Sequence, residues 1–355
     1  MNLKVLCYGE VVIDLVPKAD GSMVYKVGGA PLNVAVGLRR LGVDTTFVCC
    51  VGDDWFGRSA VGYLKSNKIR RYIEAKPGVA TRMAVLSHDE RKERSFEFSS
   101  GIAAENFLPL EKLKDANRLN PDVFYFGSFP FAKGDSLDAF QKFVHDVKKF
   151  GTVILFDPNL RLSIFDSPSH ARRTLEQLVP LSNIIRLNTE ELFFLVNPAG
   201  NNGERRQRIE RAAATLVKLG PKAIFITDGT GGSYLYANGI MVSCQSFGVK
   251  VVDTTGCGDA FTAALVSSYF KKGGDISWSA ERILTWANAA GALAATKLGG
   301  ADSMPTRISI GKFLKLRSRG GDNTKKRVSA NKSWKNKSIH FQTKIKREDN
   351  LYATS

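Results

Sequence analysis

The 355-residue chain contains no stretch of eighteen or more consecutive apolar residues, the length a helix needs to span a bilayer. The nearest, Leu284–Leu298, is interrupted by Trp286, Asn288 and Thr296 and reads as a core helix. A signal-peptide pattern is also missing, because "KVLCYGEVVIDLV" enters a strand almost at once, so a soluble cytoplasmic protein is the expectation. Cysteine is scarce. Cys7, Cys49, Cys50, Cys244 and Cys257 are odd in number and form no CxxC pair, which argues against a disulfide or zinc framework and for buried, reduced thiols. Cys49 and Cys50, neighbours on a predicted strand, should face opposite sides of a sheet. There is no internal repeat and no GxxxxGK[ST] phosphate loop.

Acid is in deficit: 34 Asp and Glu against 51 Lys and Arg give a formal charge of +17. That excess is not spread evenly. Residues 312–355 hold thirteen basic and three acidic residues, a net +10, leaving about +7 for the first 311. Beyond Leu316 the apolar periodicity stops, and composition predicts disorder over 317–355. This tail could hold RNA, DNA or an anionic membrane through phosphate contacts, with Trp334 stacking on a base; an idle solvated tail is the alternative. Deletion of residues 319–355 is expected to leave folding and turnover nearly unchanged.

With 43% hydrophobic and 24% charged residues, the rest has ample material for a core. "TTFVCCVG", "DVFYFGSF", "TVILFDPN", "NIIRLN" and "AIFITDG" read as buried parallel strands. Helical patterns alternate with them, among them "NVAVGLRRLG" closed by Gly42 and "ERRQRIERAAATLVKLG" closed by Gly220. Such alternation predicts an open α/β sheet covered on both faces, with ligands outside the carboxyl ends of its strands. "SMVYKVGG" and "TRMAVLSHDERKERSFEFSS" break the rhythm as exposed strands, either a lid over a site or a plain edge hairpin.

"VVDTTGCGDAFTAAL", residues 251–265, places Gly256, Cys257 and Gly258 ahead of a helix of small apolar residues. Unpaired backbone N–H groups at a helix start, approached closely across glycine, can cradle an anion. Asp259 beside them is either a catalytic carboxylate or a first-turn acid that favours the helix dipole. Far upstream, "KVGGAPLNVAVGLRRLG" sets Gly28 and Gly29 before a helix expected to open near Asn33, and "GEVVIDLV" puts Asp14 at the expected end of the first strand.

These segments together resemble the ribokinase-like (PfkB-type) carbohydrate kinases, from about Lys4 to Leu316. "DTTGCGDAF" is similar to the family's second signature, and "GGAPLNVAVGLRRLG" to its first; "GGAP", "DPNLR" and "ERSFEF" look most like fructokinases. The resemblance implies a kinase domain over 1–316, an open mostly parallel sheet with helices on both faces, and a small β lid from about 14–29 and 79–100. It implies that Asp259 accepts the proton of a sugar hydroxyl while Gly256, Cys257 and Gly258 form the anion hole. Asp14, Gly28, Gly29 and Asn33 would hold the sugar, and Arg161 would neutralise phosphate. Asn188, Thr227, Gly229 and Asn288 would bind ATP, Glu191 would organise Mg2+ indirectly, and Asp253 with Thr255 marks where relatives bind a monovalent cation such as K+. A homodimer through the lid strands is implied as well.

Two ionisation states follow as expectations. A carboxylate at a helix N-terminus should sit below its usual pKa, a weak base adequate for a loose phosphoryl-transfer transition state. Cys257, at the same terminus, should have enhanced thiolate character unless it is simply a packing residue. The expected activity is ATP-dependent phosphorylation of a sugar, foremost fructose to fructose 6-phosphate. The alternatives are a kinase for another sugar or a nucleoside, or a non-catalytic scaffold using the basic tail. Intact Asp14, Asn33, Glu191 and Asp259 favour the enzyme.

Overall fold

Runs of Val, Ile, Leu and Phe build most strands of the larger of two sheets. The computed structural model describes residues 3–18, 20–88, 94–196, 204–270, 279–319 and 328–330. Its strands are β1 (Lys4–Tyr8), β2 (Val12–Pro17), β3 (Met23–Gly28), β4 (Asp44–Gly52), β5 (Arg70–Lys76), β6 (Arg82–His88) and β7 (Arg94–Phe98). There follow β8 (Val123–Gly127), β9 (Val153–Asp157), β10 (Ile184–Asn188), β11 (Ala223–Thr227), β12 (Ser233–Ala237), β13 (Ile240–Cys244) and β14 (Val328–Ala330). The large sheet runs β14-β13-β12-β11-β10-β9-β8-β1-β4-β5, parallel from β11 to β5 and antiparallel at the β12–β14 edge.

The parallel strands interior to the sheet are buried on both faces, which is why they read as apolar runs, whereas the edge strand β5 is partly exposed and reads "RRYIEAK". In β8, Val123 and Tyr125 enter one core while Phe124 and Phe126 enter the other. The first core lies beneath the helices Ala30–Arg40, Cys257–Tyr269 and Ala280–Ala295. The second lies beneath Leu137–Lys149, Pro168–Leu178 and Arg205–Val217. Helix Cys257–Tyr269 is apolar on nearly every side, as a helix sandwiched between the sheet and its neighbours must be. Its contact with Ala30–Arg40 is set by Gly37, where an added Cβ would lie 2.7 Å from the Ala263 Cβ. That close approach brings the two glycine blocks of the sequence together.

β1 sits between β4 and β8, so the chain winds outward to one side and then returns to build the other. The crevice at the carboxyl ends of such a reversal is where open α/β sheets bind ligands. Above it lies the small sheet, β3-β2-β6-β7, antiparallel except for the β2–β6 pair.

The observed boundaries differ from the sequence reading in several places. The apolar run at the start is two strands, because Gly9 and Glu10 turn the chain from one sheet to the other. Asp14 therefore lies within β2 of the small sheet, opposite Lys26 and Ala84, and not at the end of the first strand. The helix expected near Asn33 opens at Ala30, with Pro31 in its first turn, placing Asn33 inside it. The last helix, Arg307–Arg319, continues past Leu316, and Val328–Ala330 pairs with β13 inside the stretch expected to be disordered. A three-residue strand needs only a backbone edge to pair with, so it leaves no apolar pattern to read. The remaining residues of that tail, and residues 89–93, where the chain was expected to fold back, lie outside the described residues. Among the described residues no helix is long and apolar enough to cross a membrane.

Candidate active site

Asp259 occupies the first turn of helix Cys257–Tyr269, whose N-cap, Gly256, adopts the left-handed φ of 82°. Gly256, Gly258 and Asp259 line the crevice, where unpaired N–H groups at a helix start would stabilise a developing anion, whereas the Cys257 N–H is donated to the Thr254 carbonyl at 3.2 Å. Asp259 is buried, and its Oδ2 accepts a hydrogen bond from Asn33 Nδ2 at 2.7 Å. The two residues are 226 positions apart in sequence. Burial raises the Asp259 carboxyl to about 6, with the Asn33 hydrogen bond opposing the shift. The expected downward shift is thus reversed: loss of water outweighs the helix terminus. Asp259 is a stronger base than an ordinary aspartate and is still mostly ionised at neutral pH.

Asp14 and Glu10 surround the same cavity of about 440 Å³. Burial, and then the charge of Asp259, lifts Asp14 to about 7. Glu10 follows β1 and is raised to about 8 by burial. Its Oε1 accepts from the Ala30 N–H at 3.1 Å, while Oε2 is buried without a partner. Sequence reading passed over Glu10, although an acid directly after a buried central strand was a signal available in "CYGE". The two glycines next to it are explained by space. A Cβ on Gly28 would lie 2.7 Å from Asp14 Oδ2, and one on Gly29, at φ 107°, would lie 2.6 Å from the Glu10 carbonyl.

Across the cavity stand Arg161, Arg186, Asn188, Glu191, Thr227 and Gly229, with Phe96, Phe98 and Phe129 on the lid side. Asn188 and Glu191 form a reciprocal capping box at the end of β10: Asn188 Oδ1 accepts from the Glu191 N–H, and Glu191 Oε2 from the Asn188 N–H at 2.8 Å. Glu191 Oε1 accepts the Leu160 N–H at 2.7 Å. Both oxygens of Glu191 are thereby committed to backbone, so any influence on a metal passes through its neighbours. Among the described residues no group of three or more His, Cys, Asp or Glu side chains could hold a metal ion.

A second cavity of about 300 Å³ opens beside the first and shares Arg186, Thr227, Gly229, Thr254 and Gly258 with it. Its other walls are mainly apolar, including Phe247, Val249, Val251, Phe261, Ala292 and Ala295. Asn288 lines it but spends its amide on the Cys244 and Gln245 carbonyls, fixing the chain that forms one wall. Cys257 faces the same space. Burial, then the nearby Asp259 charge, pushes its thiol up to about 12, which overturns the expectation of thiolate character. Asp228 is matched by Arg205, whose Nε donates to Oδ2 at 3.0 Å, so it places no lone charge beside the turn Gly229–Gly231.

Asp253 uses both carboxylate oxygens internally, accepting the Thr255 N–H at 2.9 Å and the Gly299 N–H at 2.7 Å. Lys26 lines the small cavity of about 40 Å³ that Asp253 and Thr255 share with Asp14.

The sequence matches the pfkB family carbohydrate kinase profile over residues 2–307. It is 30% identical over 321 residues to "Probable fructokinase-3" of Arabidopsis thaliana, covering 88% of this chain and 91% of that one. Among solved structures, the fructokinase with bound ATP from Xylella fastidiosa superposes with a TM-score of 0.78 at 25% identity, over 90% of this chain and all of the other. The Vibrio cholerae O395 fructokinase in fructose-, ADP- and calcium-bound form gives a TM-score of 0.76 at 27% identity, over 88% of this chain and 99% of the other. Two signatures that meet at a hydrogen bond between Asn33 and Asp259, on a fold shared with these enzymes, place the chain in the pfkB family of carbohydrate kinases, phosphotransferases acting on a sugar hydroxyl.

Proposed function

We propose that the chain is an ATP-dependent fructokinase that phosphorylates the primary 6-hydroxyl of fructose. The observation that carries this reading is the buried Asp259 carboxylate, held by Asn33 at the head of a helix where a polar and an apolar cavity join. The polar cavity offers Asp14, Glu10 and Asn33 to the hydroxyl groups of a sugar. Raised toward neutrality, Asp14 and Glu10 can donate as well as accept, which suits a ligand whose every substituent is a hydroxyl. The apolar cavity, with Thr227, Gly229 and Asn288 in its walls, would hold a nucleotide base and ribose; the polar junction fits its phosphates. When bound, ATP supplies the phosphoryl group, and a divalent metal such as Mg2+ screens its charge.

The residues of this chain do the rest. Asp14 and Asn33 orient the sugar so that one hydroxyl faces Asp259. Asp259 Oδ takes the proton from that hydroxyl as the oxygen becomes nucleophilic. The N–H groups around Gly256–Gly258 and the guanidinium of Arg161 stabilise negative charge that grows on the opposite side. Positioning and charge stabilisation of this sort account for most of the acceleration of phosphoryl transfer.

A coupled assay of ADP release over fructose, glucose, ribose and adenosine tests the reading; kcat/KM for fructose should lead. Adenosine or another riboside in first place would transfer the chain to a nucleoside-kinase reading, which the Phe96, Phe98 and Phe129 rings beside the sugar cavity favour as surfaces for a flat base. A monovalent cation near Asp253 and Thr255 is part of the proposal, checked by titrating activity with potassium chloride against lithium chloride. So is a homodimer through the small sheet, whose edges are β3 and β7, checked by light scattering.

A further inference from the structure

Arg186 is the charged side chain common to the walls of both cavities. It sits in β10 within "NIIRLN", on the face whose neighbour Ile184 packs into the apolar core. An arginine there is costly to bury, and its pairing is loose for the expense. Nη1 lies 3.4 and 3.5 Å from the Asp157 carboxylate oxygens, long for a charge-assisted bond. Nη2 donates to Thr227 Oγ1 at 3.0 Å, and Nε is buried with no hydrogen-bond partner. Asp157 meanwhile has a shorter bond, from Thr262 Oγ1 at 2.9 Å.

The guanidinium is also pressed against the anion-binding turn. A Cβ on Gly258 would lie 2.7 Å from Nη2 and 3.0 Å from Nη1, so the second glycine of "GCGD" is the space that Arg186 fills. A cation with spare donor capacity thus stands beside the turn that presents backbone N–H groups, at the passage between the two cavities. Its remaining neighbours do not use that capacity: Phe261 offers a ring 5.8 Å away, and Glu191 is satisfied by backbone.

We propose that Arg186 is a catalytic residue that contacts the phosphoryl group as it passes between the cavities, with Thr227 and Asp157 holding the guanidinium in place. The inference rests on the kinase reading and adds a residue to it. A cation there would bind the transferring group more tightly in the transition state than in the ground state, lowering kcat when lost while leaving sugar binding intact.

The test uses Arg186→Lys, Arg186→Met and the double variant Arg186→Met/Asp157→Asn, which removes both charges so that no lone buried anion unfolds the protein. Calorimetry in the presence of fructose compares MgADP with a non-hydrolysable MgATP analogue, and steady-state kinetics runs alongside. For the double variant we expect kcat lower by about 10²–10³-fold, with KM for fructose changed by less than about threefold. Its MgADP affinity should be nearly kept, while the extra affinity for the triphosphate analogue falls at least about tenfold. Arg186→Lys should retain an intermediate kcat. A double variant with wild-type kcat would show that Arg186 only neutralises Asp157, and an equal loss of both nucleotides would make it part of the nucleotide pocket. Should the wild-type chain turn over no sugar at all, the kinase reading fails, while the two calorimetric affinities still decide whether Arg186 senses the third phosphate.

Discussion

The two cavities meet at Arg186 and Gly258 and are built on opposite principles. The polar one gathers Glu10, Asp14 and Asp259, all acids whose burial raises their pKa. The apolar one is made of valine, alanine and phenylalanine walls with a single charged residue, Arg186. Chemistry that moves a proton needs titratable groups kept out of water, whereas holding a flat base needs only shape and apolar surface. In the polar cavity single atoms should therefore matter greatly. Arg186 apart, single side chains in the apolar cavity should matter little.

The sharpest break of that contrast is Asp259→Asn. It is expected to bind sugar and nucleotide but to lower kcat by about 10²–10⁴-fold, the usual contribution of a positioned base. Near-wild-type turnover would remove Asp259 from its assigned role. In the intact protein kcat/KM should fall as pH drops through about 6, because the base must be ionised. Asn33→Ala should move that acid limb to higher pH, since the Asn33 hydrogen bond lowers the Asp259 pKa.

Gly37→Ala probes the support beneath the polar cavity. The new methyl must push apart the helices that carry Asn33 and Asp259, because the obstructing atom is the Ala263 Cβ and not the end of a flexible chain. A loss of about 1–3 kcal/mol in stability is expected. Turnover should drop about tenfold as well, because small misplacements at a reacting centre are expensive. Thermal unfolding with kinetics checks both; unchanged kcat would show that Asp259 is held independently of Asn33.

A smaller effect comes from Glu10→Gln. Folded Glu10 keeps its proton up to about pH 8, whereas its ordinary value is 4.5. The folded state therefore binds more protons than the unfolded one across that window, and its contribution to stability is lost as pH rises through it. Glu10→Gln should flatten the decline in melting temperature between pH 5 and pH 8. Asp14, raised to about 7, would leave a residual slope. An unchanged slope would mean Glu10 is ionised in the fold.

Cys257→Ala, in the apolar cavity, should have the smallest effect, with kcat within about twofold of wild type because it removes no titrating group near neutral pH. With its thiol raised to about 12, Cys257 should also react slowly with iodoacetamide at pH 7.5. Rapid, MgATP-protected inactivation that Cys257→Ala abolishes would overturn this.

Much of the polar cavity was legible in the sequence because its residues cluster in two short glycine blocks. Strands β4, β8, β9, β10 and β11 were legible too, since burial on both faces leaves apolar runs, whereas the exposed edge strand β5, "RRYIEAK", offered no such run and was not read. What escaped has physical reasons. Asp14 was misplaced because "KVLCYGEVVIDLV" conceals a change of sheet at Gly9 and Glu10. Arg186 hid inside "NIIRLN", where a lone arginine in a doubly buried strand was the signal to read. The pKa directions of Asp259 and Cys257 were reversed because the helix terminus is visible in sequence and desolvation is not. In the apolar cavity Thr227, Gly229, Thr254, Cys257 and Gly258 lie in quoted motifs, but Phe247, Val249, Ala292 and Ala295 come from scattered positions with no motif to read.

One feature of the topology bears on how this protein comes to fold. β1, the earliest described strand, is interior to the sheet, pairing with β4 some 40 residues on (Lys4 with Asp44) and with β8 over a hundred residues on (Val5 with Val123). During synthesis β1, β4, β5 and the whole small sheet can pair once about 100 residues have emerged, but one edge of β1 must wait for β8. Such long-range parallel pairing is slow and leaves an apolar edge open to other chains in the interval. Expression temperature and chaperone supply are therefore expected to govern the yield of soluble protein more than the stability of the finished fold.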